Sequence, residues 1–246
     1  MTGRRYGACH PGAGMDFDLD GPLPGEEEVL DRLDRHLRRW LGAWPPTSMV
    51  AVVGCDCRTE PSWDGVVRPF AGVETPEGTI LSVPPDRVEA VRAAGSTLED
   101  ILDGIPEALG HQGAVVGRGV YRYAVAPPAL EPIGEWVPAD DSDVPAWLRP
   151  FGGHVLVVRE DGKYVAGLGI KRHDELGMEV AVATDEAWRG RGLARALVAR
   201  AAATILRAGG VPIYLHGRGN AALARVAETA GFPDRGWYIL GLPTAT

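Results

Sequence analysis

Cysteine is scarce. The 246 residues hold three, Cys9, Cys55 and Cys57, too few for a complete disulfide framework. Cys55-Asp-Cys57 is spaced more tightly than the usual zinc pairs, and no second Cys or His cluster follows it, so no metal is expected. His10 beside Cys9 reads as a solvated tail residue. Reduced thiols in a cytoplasmic protein are the expectation. No apolar run is long enough to span a bilayer. Arg4 and Arg5 lead into Gly, Pro and Asp rather than an apolar stretch, so neither a signal peptide nor a membrane partner is expected. A basic excess is missing too: the net charge of −8 argues against a general nucleic-acid binder, which needs a cationic face. The rest is ordinary. With 45% hydrophobic and 24% charged residues, the chain is long enough for one large domain or two small ones around a sizeable core.

Residues 1–24, rich in Gly, Pro and Asp, read as a flexible tail. Glu26 to Leu41 is an amphipathic helix with Leu30, Leu33, Leu37 and Trp40–Leu41 as its stripe. Acids open it and Arg38 and Arg39 close it, as the helix dipole favours, and Gly42 and Pro45-Pro46 end it. Strands are expected near Ser48–Val53, Val66–Gly72, Thr79–Val83 and Val115–Ala126. Between the last two lie a helix carrying Val88 and Val91 and another capped by Ser96-Thr-Leu-Glu99. The proline-rich stretch 127–138 suggests a domain boundary, followed by a short capped helix over Asp140–Leu148. His154–Val158 and Tyr164–Ile170 flank Asp161-Gly162, the preferred pair for a tight hairpin turn. A strand at Met178–Ala183, a long helix, a strand at Val211–His216, a helix capped by Asn220 and a strand at Trp237–Leu242 complete the chain.

One stretch organises the rest, from Val182 to Val198. A strand gives way to a glycine-rich turn and then to a helix whose apolar residues, Leu193, Leu197, Ala201 and Ile205, form a one-sided stripe. The first turn of such a helix presents unpaired N–H groups and positive dipole charge. Gly190 and Gly192 carry no Cβ, which lets a phosphate approach the backbone. From Ala187 to Ala208 the charged residues are Arg189, Arg191, Arg195, Arg200 and Arg207, with no acid among them. This points to a bound anion. Arg195 stands where a dinucleotide fingerprint needs its third glycine, and no Gly-Lys-Ser/Thr follows, so both nucleotide motifs are excluded. Two other Gly-Arg-Gly copies, at 117 and 217, lead into a strand and a loop and reflect composition.

Arg189, Gly192 and Ala194 spell R-x-x-G-x-A, which resembles the acyl-coenzyme A pyrophosphate motif of the GNAT superfamily of N-acetyltransferases. Asn220 through Gly231-Phe232 resembles the N-x-x-(A/S)…G-F helix after that superfamily's fifth strand. The resemblance covers roughly residues 131–246. It implies an α/β (α+β) fold, a mixed and mostly antiparallel sheet flanked by helices. An N-terminal α/β domain over 25–130 would precede it, open to being a decayed copy of the same fold.

The resemblance further implies acetyl transfer from acetyl-coenzyme A to an amine of a small molecule or peptide. The pantetheine arm would lie in a gap between the strand carrying Val182, Ala183 and Thr184 and the strand at Val211–His216. An N–H near Val182 or Ala183 would polarise the thioester. Arg189, Gly190, Arg191, Gly192, Leu193, Ala194 and Arg195 would cradle the pyrophosphate, and Asn220 would touch the pantetheine arm. Glu179 is the first candidate for a base acting through water, or else a strand carboxylate facing solvent. His216 and Tyr214 are further candidates for the same pocket, or else buried hydrogen-bonded groups. Many members carry a tyrosine four residues before the Gly-Phe as the acid for the thiolate, and this chain has Ala227 there. That departure keeps a second reading open, a non-catalytic acyl-coenzyme A-binding or regulatory protein. A homodimer is compatible with either.

Overall fold

The computed structural model describes residues 21–243, so Cys9, His10 and most of the expected tail lie outside the described residues. Helix α1 spans Glu26–Leu41 and closes on left-handed Gly42, whose N–H donates to the Arg38 carbonyl. Its buried stripe is Val29, Leu33, His36, Leu37 and Leu41. Leu30, expected in the stripe, is exposed instead, and Val29 takes the buried place one turn before Leu33.

The strands and helices that follow are β1 (Val50–Gly54), β2 (Ala71–Thr75), β3 (Gly78–Val83), α2 (Val88–Arg92), α3 (Leu98–Ala108) and β4 (Gly117–Tyr123). Next come β5 (Glu135–Pro138), β6 (His154–Glu160), β7 (Lys163–Arg172), β8 (Gly177–Thr184), α4 (Leu193–Arg207), β9 (Val211–Gly217), α5 (Ala221–Thr229) and β10 (Tyr238–Gly241). Asp161 and Gly162 both take positive φ, 49° and 75°, as the tight turn between β6 and β7 requires.

Among the described residues, ten strands join one sheet in the order β1-β3-β2-β10-β4-β9-β8-β7-β6-β5. Only the β1/β3 and β8/β9 pairs are parallel. This is the mixed, mostly antiparallel sheet flanked by helices that the resemblance implies. The sheet runs unbroken across the boundary expected near residue 130, because β10 inserts between β2 and β4. The two halves differ in strand order. The N-terminal strands run β1-β3-β2 with a parallel outer pair, whereas β5 to β8 are antiparallel neighbours in chain order.

Side-chain alternation divides the two faces. Met178 and Val180 of β8 and Tyr214 of β9 pack with Leu197, Val198 and Ala201 of α4 and Ala227 of α5. Val211 and Ile213 of β9 and Tyr121 of β4 pack on the other face with Leu33 and Leu37 of α1. A third group, Val144, Leu148, Val155 and Val157, covers β6 on the α1 side.

Several local expectations shift. Thr97 caps α3, in a reciprocal box with Asp100, one residue beyond the Ser96/Glu99 pair. Residues Val66–Phe70 form only an isolated bridge, between Val67 and Pro61, and β2 starts at Ala71, while β5 forms inside the proline-rich stretch. Residues 140–148 make turns, and only a 3-10 turn at Arg149–Phe151 is helical. Pro145 and Pro150 each lack an N–H, which prevents two consecutive α-turns there. Cys55 and Cys57 are paired as a disulfide, where free thiols were expected.

The ring of His36 lies directly over Gly177, filling the place of a Cβ. Gly177→Ala is therefore expected to overpack this contact and cost about 1–3 kcal/mol. Thermal melting should show it as a loss of ~2–4 °C per kcal/mol at this chain length.

Candidate functional site

Strands β8 and β9 are paired at three positions, Gly177 with Val211, Met178 with Pro212 and Glu179 with Ile213. Beyond these they part. Each keeps its other neighbour along its length, β8 to Thr184 on β7 and β9 to Gly217 on β4. The gap is therefore bounded by two otherwise satisfied strands. Burial follows the divergence: Gly177–Val180 are buried, Ala181 and Val182 half-buried, and Ala183 exposed.

The hydrogen-bond phase shows which backbone groups line the gap. His173 N–H donates to Gly177 O and Asp185 N–H to Val165 O. In that register the odd residues of β8 face β7, and the even ones face β9. On β9, Ala124 N–H donates to Pro212 O while Val211 N–H donates to Leu176 O, so odd residues face β8. The open edges thus belong to Val182 and Thr184 on one side and Leu215 and Gly217 on the other. Between Val182 and Ala183, the phase favours Val182 as the N–H directed into the gap. The Thr184 hydroxyl is buried without a partner among the described residues.

At the end of β8, Asp185 accepts from Ala187 N–H and caps a short 3-10 turn, Glu186–Trp188. Gly190 and Gly192 follow with φ of 79° and 80°. A Cβ added at either meets nothing within 4 Å, so here glycine serves the left-handed backbone and the turn is open. Among the described residues, the N–H groups from Gly190 to Arg195 find no acceptor, and the first to do so is that of Ala196, on Gly192 O. Arg191 lies over the Trp188 ring at 4.3 Å, Arg189 Nε donates to Thr184 O at 3.4 Å, and Arg195 Nε to Thr229 O at 3.0 Å. Two of the five arginines serve elsewhere: Arg200 binds the Ile133 and Gly134 carbonyls and Arg207 the Gly21 carbonyl. Asn220 caps α5, its Oδ1 accepting Leu223 N–H at 3.0 Å. Leu193 and Ala194 open α4.

Glu179 sits where the strands part, on the α1 face, and it is buried rather than facing solvent. Its carboxylate accepts from Lys171 Nζ at 2.5 Å and pairs with His173 Nε2 at 3.0 Å. Burial alone would raise its pKa; the hydrogen bonds and charges of His173 and Lys171 outweigh burial and hold it below the usual value. Beside it, His36 Nδ1 donates to Asp174 Oδ2 at 2.9 Å. Burial outweighs Asp174 and lowers the pKa of His36. Asp174 is held low against its own burial by His36 and by the N–H groups of Gly177 and Leu176. His36 Nε2 and the Tyr121 hydroxyl are buried without partners among the described residues.

His216 lies on the opposite face. Its Nδ1 donates to Gly217 O at 3.0 Å and its Nε2 accepts from Arg122 Nε at 3.1 Å. Both nitrogens are engaged, which matches the buried, hydrogen-bonded alternative. Arg122 also holds Glu228, Asp234 and Phe232 O. The Tyr214 ring is 5.7 Å from Phe232, in the same cluster as Ala227. Its hydroxyl is buried without a partner among the described residues, and burial pushes it up to about 12. Sequence reasoning missed Lys171, His173, Asp174 and His36. A histidine on the apolar stripe of α1 and a lysine two residues before His173 were the available signals.

Among the described residues no group of three or more His, Cys, Asp or Glu is placed to hold a metal ion, and no helix is long and apolar enough to cross a membrane. Residues 121–232 match the acetyltransferase (GNAT) family model. The C-terminal half of the chain is thus a domain of the GNAT superfamily. Among solved structures, it is similar to a putative GNAT-family acetyltransferase from Novosphingobium aromaticivorans, at 28% identity and a TM-score of 0.43 over 52% of this chain and 66% of that one. A GNAT-family acetyltransferase from Colwellia psychrerythraea is 18% identical, with a TM-score of 0.42 over 52% of this chain and 56% of that one. A GCN5-related N-acetyltransferase-like protein from Streptococcus suis is 17% identical, with a TM-score of 0.44 over 87% of this chain and all of that one. The chain spans less than two thirds of the first two. No curated protein matches it.

The buried cluster sets an acid limit. A group held below its unfolded pKa contributes stability above that value and loses it as the pH falls toward its folded value. For His36 the loss starts near 6.5, and for Asp174 and Glu179 near 3.8 and 4.5. Calorimetric melting is expected to weaken in two stages as the pH drops from 7. His36→Gln should remove the first stage and leave the second.

Proposed function

We propose that the protein is an acetyl-coenzyme A-dependent N-acetyltransferase that passes the acetyl group directly to an amine. The observation that carries this reading is the gap beyond Glu179 and Ile213, which leads from the unpaired edge at Val182 to the run of free N–H groups at the 190 turn. Acetyl-coenzyme A supplies an acetyl group activated as a thioester. The residues present suit such a molecule: open β edges for an extended arm, the orphaned Thr184 hydroxyl as a donor or acceptor beside it, and an open cationic turn for a diphosphate. Each dipole or charge interaction at a helix start contributes about 0.3–1 kcal/mol when exposed, so several act together.

Val182 N–H is the donor for the oxygen that gains charge as the amine attacks. A fixed backbone donor of this kind needs no reorganisation as the charge develops. The attacking amine must be neutral. Glu179, ionised and fixed by Lys171 and His173, takes its proton. Three residues of strand, ~10 Å, separate Glu179 from Val182, so the proton passes through water. Positioning of the two reactants supplies much of the remaining acceleration. Buried Ala227, where the superfamily commonly has a tyrosine, favours a second reading, acyl-coenzyme A binding without turnover.

Titration calorimetry should show heat with acetyl-coenzyme A, and Arg191→Glu combined with Arg195→Glu should weaken binding by about tenfold or more. Thiol release with a panel of primary amines separates the two readings, since binding with no release supports the second. Glu179→Gln is expected to lower kcat by ~10²–10⁴-fold while cofactor affinity stays within about twofold. An unchanged kcat would remove Glu179 as the base.

A further inference from the structure

On the α1 face, the β7–β8 hairpin presents three side-chain pairs in register: Gly167 with Ala183, Gly169 with Ala181, and Lys171 with Glu179. Residues opposite one another share a face and hold their Cβ atoms ~5 Å apart. The first two pairs carry nothing larger than a methyl group. On the β7 side the space is filled. A Cβ at Gly167 would lie 2.7 Å from Leu148, and one at Gly169 would run into the Phe151 ring. On the β8 side Ala181 is half-buried and Ala183 exposed. On this face Leu148 and Phe151 therefore stand over β7, and beside them β8 shows only two methyl groups.

The N-terminal half adds to this group. Trp63 stacks flat on Phe151, with ring centroids 5.3 Å apart and planes at 10°. Trp147 meets Phe151 edge-on at 6.0 Å. At the lower end, the Lys171 ammonium lies 5.8 Å from the Trp63 ring centre and 2.5 Å from Glu179. Charges here are already matched, Lys171 with Glu179 and Arg68 with Asp64 at 2.6 Å.

We propose that the acceptor is a primary amine carried on an aromatic or broad apolar group, seated over Ala181 and Ala183 against Phe151 and Trp63. This rests on the function proposed above, since it places the reacting nitrogen beside Val182, between the two alanine rungs. The rest of the acceptor then lies on methyl groups beside the edge of the Phe151–Trp63 stack, since Phe151 has Gly169 under one face and Trp63 on the other. Such a surface leaves the hydroxyls of an aminosugar without partners. The carboxylates nearest Trp63, Glu179 and Asp64, are already paired with Lys171 and Arg68. Ring-to-edge contact suits this surface. In the transfer, the bond from the acetyl carbon to sulfur breaks and a bond to nitrogen forms. The amine proton goes through water to Glu179, and the departing sulfur takes a proton from solvent, giving an N-acetylated amine and free coenzyme A.

The test measures thiol release by the full chain with acetyl-coenzyme A and either 2-phenylethylamine, tryptamine, propylamine, spermidine or glucosamine. The two aryl amines are expected to exceed propylamine in kcat/KM by about tenfold, mostly through KM. Trp63→Leu should shrink that ratio to about twofold, with cofactor calorimetry confirming that the variant is folded. A flat ranking, a preference for spermidine or glucosamine, or a ratio untouched by Trp63→Leu overturns the proposal while leaving the transferase reading intact. If no amine turns over, tryptophan fluorescence is titrated with 2-phenylethylamine. A saturable change lost in Trp63→Leu supports the aryl site, and no change overturns it. Absence of any heat with acetyl-coenzyme A instead strikes the transferase reading itself.

Discussion

The parallel contact between β8 and β9 ends after Glu179 and Ile213, and everything proposed for the site depends on that early end. Ending a ladder inside a sheet leaves backbone N–H and C=O groups without partners, which is costly when they are buried. Here the cost is confined because β8 stays bonded to β7 and β9 to β4 past the point of divergence. Only the inner edges open, and they open where the strands become exposed. The unpaired backbone groups at Val182 and Leu215, with the N–H groups of Thr184 and Gly217, form a surface suited to an extended ligand. The glycine turn then adds the free amides at the start of α4.

The ionisable groups beside the gap are divided between the faces of the sheet. Under α5, Arg122 gathers His216, Glu228 and Asp234 and leaves His216 no free nitrogen. Over β8, Glu179 is matched by Lys171 and His173, and Asp174 by His36 and two backbone N–H groups. A buried carboxylate without such partners would take up a proton. This one stays ionised, at the expense of basicity, and is fixed at the root of the gap. His36 also packs its ring into the space above Gly177, so α1, the turn between β7 and β8, and the base candidate share one rigid corner.

Much of this was legible in the sequence where the determinants are local. Positive-φ glycines at 190 and 192, the Asp161-Gly162 turn and the apolar stripe of α4 each announce themselves within a few residues. Non-local pairing did not. Nothing in Trp237–Leu242 signals that β10 lies between β2 and β4, and strand order rather than strand content separates the two halves. Lys171 facing Glu179 follows only once the register set by the turn at 173–177 is known. The choice of Val182 over Ala183 depends on hydrogen-bond phase, which sequence alternation does not report. Asp140–Leu148 failed as a helix for a local reason, the missing N–H of Pro145 in its middle. Trp63, in a polar loop far from the turn in sequence, gave no hint of stacking on Phe151.

The family match ends at residue 232 and begins within β4, but the cooperative unit is larger. β10 closes the C-terminal part by pairing with β4 and with β2 of the N-terminal half. Both sides of this face of β8 also draw on that half. His36 covers Gly177 below Glu179, and Trp63 backs Phe151 across from Ala181. The cofactor side, from Val182 through Arg195, is built from the family-matching segment alone. The seat proposed for the acceptor combines Leu148, Phe151, Ala181 and Ala183 of that segment with Trp63 from outside it.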